Sequence, residues 1–291
     1  MTTNYDLAAR FEADRPHLRG VAYRLVGSLE DSDDAVQRAW LKASQADLRD
    51  VDNLTGWFTT VTARECFDLL RARKRRAEVP LDDQPATPAV PGAEEEAVLA
   101  ESVGLALLVV LARLSPAQRV AFVLHDLFSF PFDEVGMTLD RSPAAAKKLA
   151  SRARERVLGH SADDQRIESG HFRLVEAFLA ASRNGDIRQL LDLLAPGVVR
   201  RVDRVLVPEE VPTEMRGVRE VAEETKLFAA RASVGVTALV DGAPGIVIAP
   251  YGRLQAVLRL TVRRERIEAI DIIGAPDRLD RVALAIPPGF A

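Results

Sequence analysis

The N-terminal part of the chain carries an acidic cluster and a basic cluster, and these two clusters are its most distinctive chemistry. Glu30–Asp34 contains four acidic residues and opens a segment with helical spacing that reaches Trp40. In Arg71–Arg76, five of the six residues are Lys or Arg. A basic patch attracts a polyanion, and an acidic face suits a protein partner. The pattern therefore indicates two binding faces for two kinds of partner.

The acidic segment has two interpretations. Acids in the first turn of a helix offset the positive end of its dipole, which would explain part of Asp31 and Asp33. Alternatively, polar side chains of the segment face a partner protein, and the candidates are Asp33, Asp34, Gln37 and Arg38. Composition alone leaves both interpretations open.

The basic run closes a segment that begins after Asn53, a good helix N-cap. Upstream of the run, the segment mixes aromatic, hydroxyl and basic side chains, which include Trp57, Phe58 and Arg64. Aromatic side chains can stack on unpaired bases, at roughly 1–3 kcal/mol for each base. In the competing interpretation, the run is a solvated helix end favoured by the dipole. Helical spacing also suits Trp57 and Phe58 to the core better than to base stacking.

A third segment has the pattern of a helix-turn-helix. A helix is predicted over 132–138, a short turn over 139–141, and a second helix that Ser142–Pro143 opens. Small and apolar residues such as Gly136 and Ala145 would let the two helices cross closely. Lys147, Lys148 and Arg152 would then face a major groove or its phosphates. The alternative is an amphipathic basic helix on the surface.

Bulk composition limits the function classes. The net charge is −4, so contact with nucleic acid must come from local patches. The single cysteine, Cys66, excludes an internal disulfide and a zinc site of paired cysteines, and it fits a reducing cytoplasm. His125 and His171 are expected to be ordinary helix residues, because no metal-ligand spacing surrounds them. We expect no cofactor, no signal peptide and no membrane span.

Two breaks divide the chain into three blocks. Residues 79–98 are rich in proline and acid, and proline fixes φ and removes backbone donors, which predicts a flexible linker. A second break, over 159–170, is rich in Gly, Ser and Asp. The predicted domains are therefore 5–78, 99–158 and 171–288.

Helical spacing fills the first two blocks. The first predicts a helix from Asp14–Pro16 to Gly27, then helices over 31–44 and from Leu54 to Arg76. The second predicts helices over 99–113 and 116–127, followed by the helix-turn-helix.

The third block predicts an α+β domain. Helical patterns cover 171–184, 187–194 and 218–231, and strand patterns cover 234–240, 245–249, 254–262 and 267–273. This order indicates helices followed by an antiparallel sheet. Candidates for a polar pocket are Asp203, Asp241, Asp271 and Arg259. General acid/base catalysis needs groups that converge on one site, and no pattern indicates convergence, so we expect no enzyme here.

Residues 5–158 resemble the extracytoplasmic-function (group 4) sigma factors of bacterial RNA polymerase. Ala22–Leu25 and Asp33–Trp40 are similar to the start of that family's region 2 and to its core-binding segment. Gly56–Arg64, with Asp68 and the basic run, is similar to the segment that melts and reads the −10 element. Leu114–Arg119 and Phe132–Arg154 are similar to region 4, which reads the −35 element.

The resemblance implies roles for individual residues. Binding of core polymerase, through its beta-prime subunit, would fall to Asp33, Asp34, Gln37, Arg38 and Trp40. The −10 element would be bound by Trp57, Arg64, Asp68, Arg71, Arg73, Lys74 and Arg75. The −35 element would be bound by Ser142, Ala144, Lys147, Lys148, Ser151 and Arg152.

Residues 171–288 resemble the SnoaL-like, nuclear-transport-factor-2-like cone fold, which sigma factors of the sigma J type carry as a modulating extension. Gly274–Leu279 is similar to the family's Asn-Pro-Asp-Lys-Leu motif. The implied regulatory residues are Pro276, Asp277, Arg278 and Leu279. Val202–Leu206 stands where the family has Asp-Gly-Gly-Gly-Lys, and Ala77–Leu81 stands where it has Trp-Leu-Pro-Glu-Pro. Neither segment matches its motif.

The expected fold is multidomain: two all-α helical domains, the second with a helix-turn-helix, followed by an α+β cone-shaped SnoaL-like domain. The expected function is that of a cytoplasmic alternative sigma factor, which binds core RNA polymerase and promoter DNA and is modulated in cis. An anti-sigma protein or a small-molecule effector is a further partner class. The alternative is a ligand-sensing DNA-binding regulator without polymerase contact, which would tolerate charge reversal at Asp33 and Asp34. An enzyme fused to a helical module is the other rival.

Overall fold

The computed structural model describes residues 4–77, 104–159, 169–227, 229–250 and 253–286. The linker predicted over 79–98 lies outside these residues, as does most of 159–170. Contacts divide the chain into two compact units. The first is Met1–Gly104 with Leu111–Arg154, and the second is Leu105–Val110 with Glu155–Ala291. No described helix combines the length and the apolar character that crossing a membrane requires.

The first unit is helical. Its helices are α1 (Asn4–Val26), α2 (Leu29–Ala43), α3 (Leu54–Ala77), α5 (Pro116–Phe122), α6 (Phe132–Leu139) and most of α7 (Pro143–Leu158), whereas α4 (Leu105–Ala112) lies mostly in the second unit. A π-helical turn, Val123–Leu127, extends α5. Side chains that cap the orphan N–H groups explain where helices begin. Ser28 caps α2, Asn53 accepts from the Gly56 N–H at 2.9 Å, and Ser115 forms a capping box with Gln118.

Helix α1 differs from its prediction. It begins at Asn4 and contains Pro16, so the predicted start at Asp14–Pro16 was wrong. A proline inside a helix removes one backbone hydrogen bond, but Phe11 and Leu18 on either side of it are fully buried. Their burial anchors both turns to the core. Gly27 ends the helix as expected, with a φ of 69° that favours glycine.

Aromatic side chains join the first three helices. The ring of Phe11 lies 5.2 Å from that of Trp40 and 5.0 Å from that of Phe58, between ring centroids. Tilted and edge-to-face pairs at these distances are favourable beyond their burial. Phe58 is therefore a core residue, and it fixes the rotation of α3 about its axis.

The second unit packs helices on a sheet. Its helices are α8 (Ser169–Asn184), α9 (Ile187–Leu193), α10 (Val218–Leu227), α11 (Ala229–Ala232) and α12 (Pro276–Leu279). Its strands are β1 (Leu194–Val202), β2 (Glu214–Arg216), β3 (Gly235–Val240), β4 (Ala243–Ile248), β5 (Ala256–Arg263), β6 (Arg266–Ile273) and β7 (Leu284–Ala285). The strand order is β2-β1-β6-β5-β4-β3-β7. Phe178 and Leu190 of the helices share one core with Ile246, Leu260 and Ile270 of the sheet.

The sheet is mixed, so the expected antiparallel sheet was wrong in one respect. Strand β1 pairs parallel with β6, with Arg200 opposite Ile270, while the other pairs are antiparallel. Parallel neighbours need a long connection between them, and here β2 to β5 supply it. The helices pack on one face of this mixed sheet, which gives the α+β domain that the sequence predicts.

Candidate protein and nucleic-acid interfaces

Helix α2 separates a buried face from a polar one. Ala35, Val36 and Ala39 are buried, whereas the candidates Asp33, Asp34, Gln37 and Arg38 are exposed. These four recur at helical spacing, so they share one surface. Trp40 is half-buried, with its ring against that of Phe11.

Two of the acids on α2 have intramolecular partners. Arg19 Nε lies 2.7 Å from Asp33 Oδ1, and Arg38 lies 3.6 Å from Asp34, one turn away on the same helix. The Arg38–Asp34 pair is solvent-exposed, and exposed ion pairs contribute roughly 0–1 kcal/mol. Arg19 is half-buried, but Asp33 and Asp34 are themselves exposed.

Helix α3 presents a charged stripe. Arg64, Asp68, Arg71 and Arg75 are exposed at intervals of four, three and four residues, which keeps them on one side of the helix. Lys74 is exposed beside them, and Trp57 is half-buried against Phe58 at 5.9 Å between ring centroids. Of the predicted pair of aromatic residues, only Trp57 retains surface that could reach a base.

Arg73 differs from the other predicted −10 residues. Its guanidinium pairs with Asp31 and donates to the Val26 carbonyl at 3.3 Å. This residue therefore joins the end of α3 to the end of α1 and the start of α2. Arg73 is therefore explained by these contacts within the protein rather than by exposure on the surface of the basic run.

The charged stripe of α3 faces the turn after α6 within the first unit. Arg64 Nη2 lies 2.9 Å from Asp140 Oδ1. Phe67, Arg71 and Lys74 of α3 line a groove of about 370 Å³ together with residues 115–117 and 139–141. In this conformation, part of the predicted −10 surface lies against the predicted −35 module.

A buried arginine links the same two modules. Arg119 is 6% exposed, and its Nε donates to the Arg24 carbonyl at 2.9 Å, in the last turn of α1. Orphan carbonyls at a helix end favour a cation. Burial lowers the pKa of Arg119 to about 10, and burial also raises the pKa of the neighbouring Cys66 thiol. The spacing of Arg119 in α5 did not identify this role.

The helix-turn-helix depends on a close crossing at Gly136. A Cβ there would lie 2.7 Å from the Arg141 carbonyl oxygen, which is too close for any other residue. The Arg141 N–H donates to the Gly136 carbonyl at 2.9 Å, and Asp140 takes the left-handed conformation with a φ of 52°. The turn therefore needs glycine at the crossing and a short polar residue at the helix end.

Helix α7 exposes all six predicted −35 residues. Its buried side is Ala146, Ala150, Ala153 and Val157. Its exposed side carries Ser142, Ala144, Lys147, Lys148, Ser151 and Arg152. Ala145, which was expected at the helix crossing, is half-buried. Arg154 is also exposed, but it donates to Asp126 at 2.6 Å.

The second unit contains a cavity of about 410 Å³. Among the described residues, none of the four predicted pocket residues lines it. Arg259 pairs with Asp241, and Arg201 lies 3.5 Å from Asp271. The polar lining consists of Ser182, Arg200, Glu224, Thr225, Arg231 and Gln255. Across the described chain, no cluster of His, Cys, Asp and Glu suits a metal ion.

Asp203 joins the segment Val202–Leu206 to the segment Gly274–Leu279. Its Oδ2 accepts the N–H groups of Gly274 and Ala275, each at 2.9 Å, and its Oδ1 pairs with Arg278. Burial opposes the charged form, but the N–H groups of Ala275 and Gly274 and the charge of Arg278 outweigh it and lower the pKa of Asp203. Pro276, Asp277 and Arg278 are exposed, and Leu279 is buried.

Comparisons with known proteins agree with this geometry. Residues 10–76 match the family model of Sigma-70 region 2, and residues 104–157 match that of Sigma-70 region 4. The probable ECF RNA polymerase sigma factor SigI of Mycobacterium tuberculosis is 31% identical over 96% of this chain and 97% of its own. The ECF RNA polymerase sigma factor SigJ of the same organism is 40% identical over 72% of this chain and 68% of its own.

A crystal structure of Mycobacterium tuberculosis SigJ aligns with 94% of this chain and 98% of its own, with 32% identity and a TM-score of 0.44. The resemblance to SigI extends over both units, so the family is that of the whole chain. The chain belongs to the ECF RNA polymerase sigma factors, which bind core polymerase, recognise promoters and initiate transcription.

Proposed function

We propose that the exposed face of α2, formed by Asp33, Asp34, Gln37 and Arg38, binds the beta-prime subunit of core RNA polymerase. The observation that carries this assignment is the separation of charge between surfaces. The exposed face of α2 contains two acids, whereas the exposed sides of α3 and α7 are predominantly basic. Complementary charge steers and orients association, so an acidic face suits a protein rather than DNA.

The DNA contacts follow from the same separation. Trp57, Arg64, Asp68, Arg71, Lys74 and Arg75 would bind the −10 element, with Arg73 supporting α3 through Asp31. Ser142, Ala144, Lys147, Lys148, Ser151 and Arg152 would bind the −35 element. Basic contacts supply salt-dependent affinity, and contacts with base edges supply sequence choice. A flexible linker over 79–98 would let both modules act together through a raised effective concentration.

Binding of promoter DNA requires the first unit to open. Arg64 is paired with Asp140, and both side chains are exposed. Such a pair is worth roughly 1 kcal/mol or less, so a DNA phosphate can take the place of Asp140. Arg119 would then be the costlier contact to break, because it is buried. Core polymerase, by separating the predicted domains 5–78 and 99–158, would supply that free energy.

The third predicted domain, 171–288, would regulate the other two in cis rather than catalyse a reaction. The two ionisable groups buried at its cavity, Arg200 and Glu224, are paired with each other, and an acid/base catalyst needs a group that can exchange protons with substrate. Pro276, Asp277, Arg278 and Leu279 are the candidate regulatory residues. The protein would act in the cytoplasm, where its polymerase is, and an anti-sigma protein is a further candidate partner.

Run-off transcription with purified core polymerase tests this function. We expect the chain to direct new transcripts from fragments of its source genome, and Lys147→Ala/Lys148→Ala to abolish them. Arg173→Ala/Arg188→Ala, which removes two exposed arginines of the second unit, is the matched control and should retain them. Deleting 165–291 should change transcript levels in either direction. If core polymerase makes the same transcripts with and without the added chain, the assignment of the chain as a sigma factor is refuted.

A further inference from the structure

The cavity of the second unit has the form of a small-molecule site. It encloses about 410 Å³, and Phe178, Ile246, Leu258 and Ile270 are among the apolar residues of its wall. Sites for small ligands are typically concave, largely apolar and supplied with a few converging polar groups. The size and the lining of this cavity both meet that description.

Arg200 supplies the polar end of the cavity. It is 3% exposed, and it donates to Glu224 through Nε at 2.7 Å and to the Pro212 carbonyl through Nη1 at 2.9 Å. Nη2 also donates to Glu224. These three bonds use three of the five N–H donors of a guanidinium. Among the contacts of the described residues, donors therefore remain for an acceptor in the cavity.

The charge of the lining indicates which ligands fit. The ionisable side chains around the cavity are two arginines, Arg200 and Arg231, against one glutamate, Glu224. The remaining donors of Arg200 favour an anionic or hydrogen-bond-accepting group, because charge-assisted bonds to arginine are strong. The chemistry suits a small, mainly apolar molecule with a carboxylate, phenolate or carbonyl at one end.

One wall of the cavity touches the candidate regulatory segment. The 3₁₀ turn Arg204–Leu206 contributes Val205 and Leu206 to the lining. The Leu206 side chain packs directly on Gly274, so that a Cβ added to Gly274 would overlap Leu206 Cδ2. Asp203, immediately before the turn, holds the N–H groups of Gly274 and Ala275. A displacement of the turn therefore displaces residues 274–279.

We propose that this cavity binds a small, mainly apolar molecule with an acidic or carbonyl end, and that the Arg204–Leu206 turn transmits its occupancy to residues 274–279. A ligand shifts a conformational equilibrium only through contacts that differ between the two states, and Val205 and Leu206 supply such contacts. The inference adds a ligand to the cis-regulatory role proposed above. Only the expected effect of that ligand on transcription rests on the proposed role.

Binding is tested with the anionic dye 8-anilinonaphthalene-1-sulfonate and the full-length chain. We expect saturable binding of one dye per chain, weakened at least tenfold by Ala256→Leu, which fills the cavity. Ala243→Leu is the matched control, because Ala243 is exposed and outside the lining. Val205→Glu places an acid at the wall, and Val205 is 65% exposed, so this variant should fold and also weaken binding. Equal binding by all variants, or no saturable binding, would overturn the site.

Transmission is tested by hydrogen exchange in the same free protein. Saturating dye should slow exchange of the backbone N–H groups in 274–279, since the Asp203 bonds protect two of them. Asp203→Asn, which lies outside the lining and removes the acceptor of the Gly274 and Ala275 N–H groups, should retain dye binding and lose the slowing of exchange by dye. Unchanged exchange in the wild-type chain at saturating dye would refute transmission. Neither experiment contains polymerase, so a failure of the sigma assignment and a failure of this inference are separately visible.

Discussion

The ion pair of Arg200 and Glu224 illustrates what single residues contribute to this protein. The side chains are 4% and 11% exposed. A buried ion pair roughly balances the cost of desolvation, but removing one partner leaves a buried charge without compensation. The pair is therefore better explained by positioning donors at the cavity than by adding stability.

Glu224→Gln should lower the free energy of opening of the sheet by about 3 kcal/mol, because it leaves the Arg200 charge buried without its counterion. Arg200→Met/Glu224→Leu should recover most of that loss. The matched control is Glu268→Gln, since Arg263 and Glu268 form an exposed pair at 3.6 Å, worth about 1 kcal/mol or less.

Hydrogen exchange in β4–β6 measures these changes. The two tryptophans, Trp40 and Trp57, lie in the first unit, so their fluorescence would not report on the sheet. Equal destabilisation by Glu224→Gln and Glu268→Gln would contradict the account of the buried pair.

At the scale of elements, α7 separates contacts with DNA from contacts within the protein. Lys147, Lys148 and Arg152 are exposed opposite the buried alanines, whereas Arg154 is bonded to Asp126. Replacing a phosphate-binding cation reduces the slope of log affinity against log salt by about one unit. We expect Lys148→Ala or Arg152→Ala to reduce this slope and Arg154→Ala to leave it unchanged, in promoter binding by reconstituted holoenzyme. Identical slopes for all variants would exclude α7 as the DNA-binding element.

The tether between Asp203 and α12 should depend on pH. The folded-state pKa of Asp203 lies below the ordinary value of 3.8. Its stabilising effect is therefore complete above pH of about 4 and is lost as the pH falls through the folded-state pKa. Asp203→Asn should weaken protection of the Gly274 N–H at neutral pH, and the difference from wild type should vanish in strong acid. Asp277→Asn, at an exposed position, should leave protection unchanged. A difference that persists in strong acid would contradict this mechanism.

Whole-molecule organisation could be predicted from the sequence wherever the signals are local. The buried face of α2, the cap at Asn53 and the glycine at the helix crossing each depend on residues close together in the chain. Strand β1 was missed because Pro196 and Gly197 suggest a loop and because its pairing with β6 spans a long connection. Val198, Arg200 and Val202 alternate as an inward face, so recognising the strand would also have identified Arg200. Arg119 carries no such pattern, since its partner Arg24 is distant in sequence.

The most direct test of the account is equilibrium binding of purified core RNA polymerase to the full-length chain. Asp33→Lys/Asp34→Lys reverses the charge of the α2 face, and Asp47→Lys/Asp50→Lys makes the same change in charge at exposed positions off that helix. Arg19→Ala is a second control, because it removes the partner of Asp33 without changing the acid.

We expect tight binding by the wild-type chain, by Asp47→Lys/Asp50→Lys and by Arg19→Ala. We expect at least a tenfold loss for Asp33→Lys/Asp34→Lys in a protein whose helical content is unchanged. Equal binding by the two charge-reversed variants, or no binding by the wild-type chain, would contradict the assignment of α2 as the polymerase-binding surface.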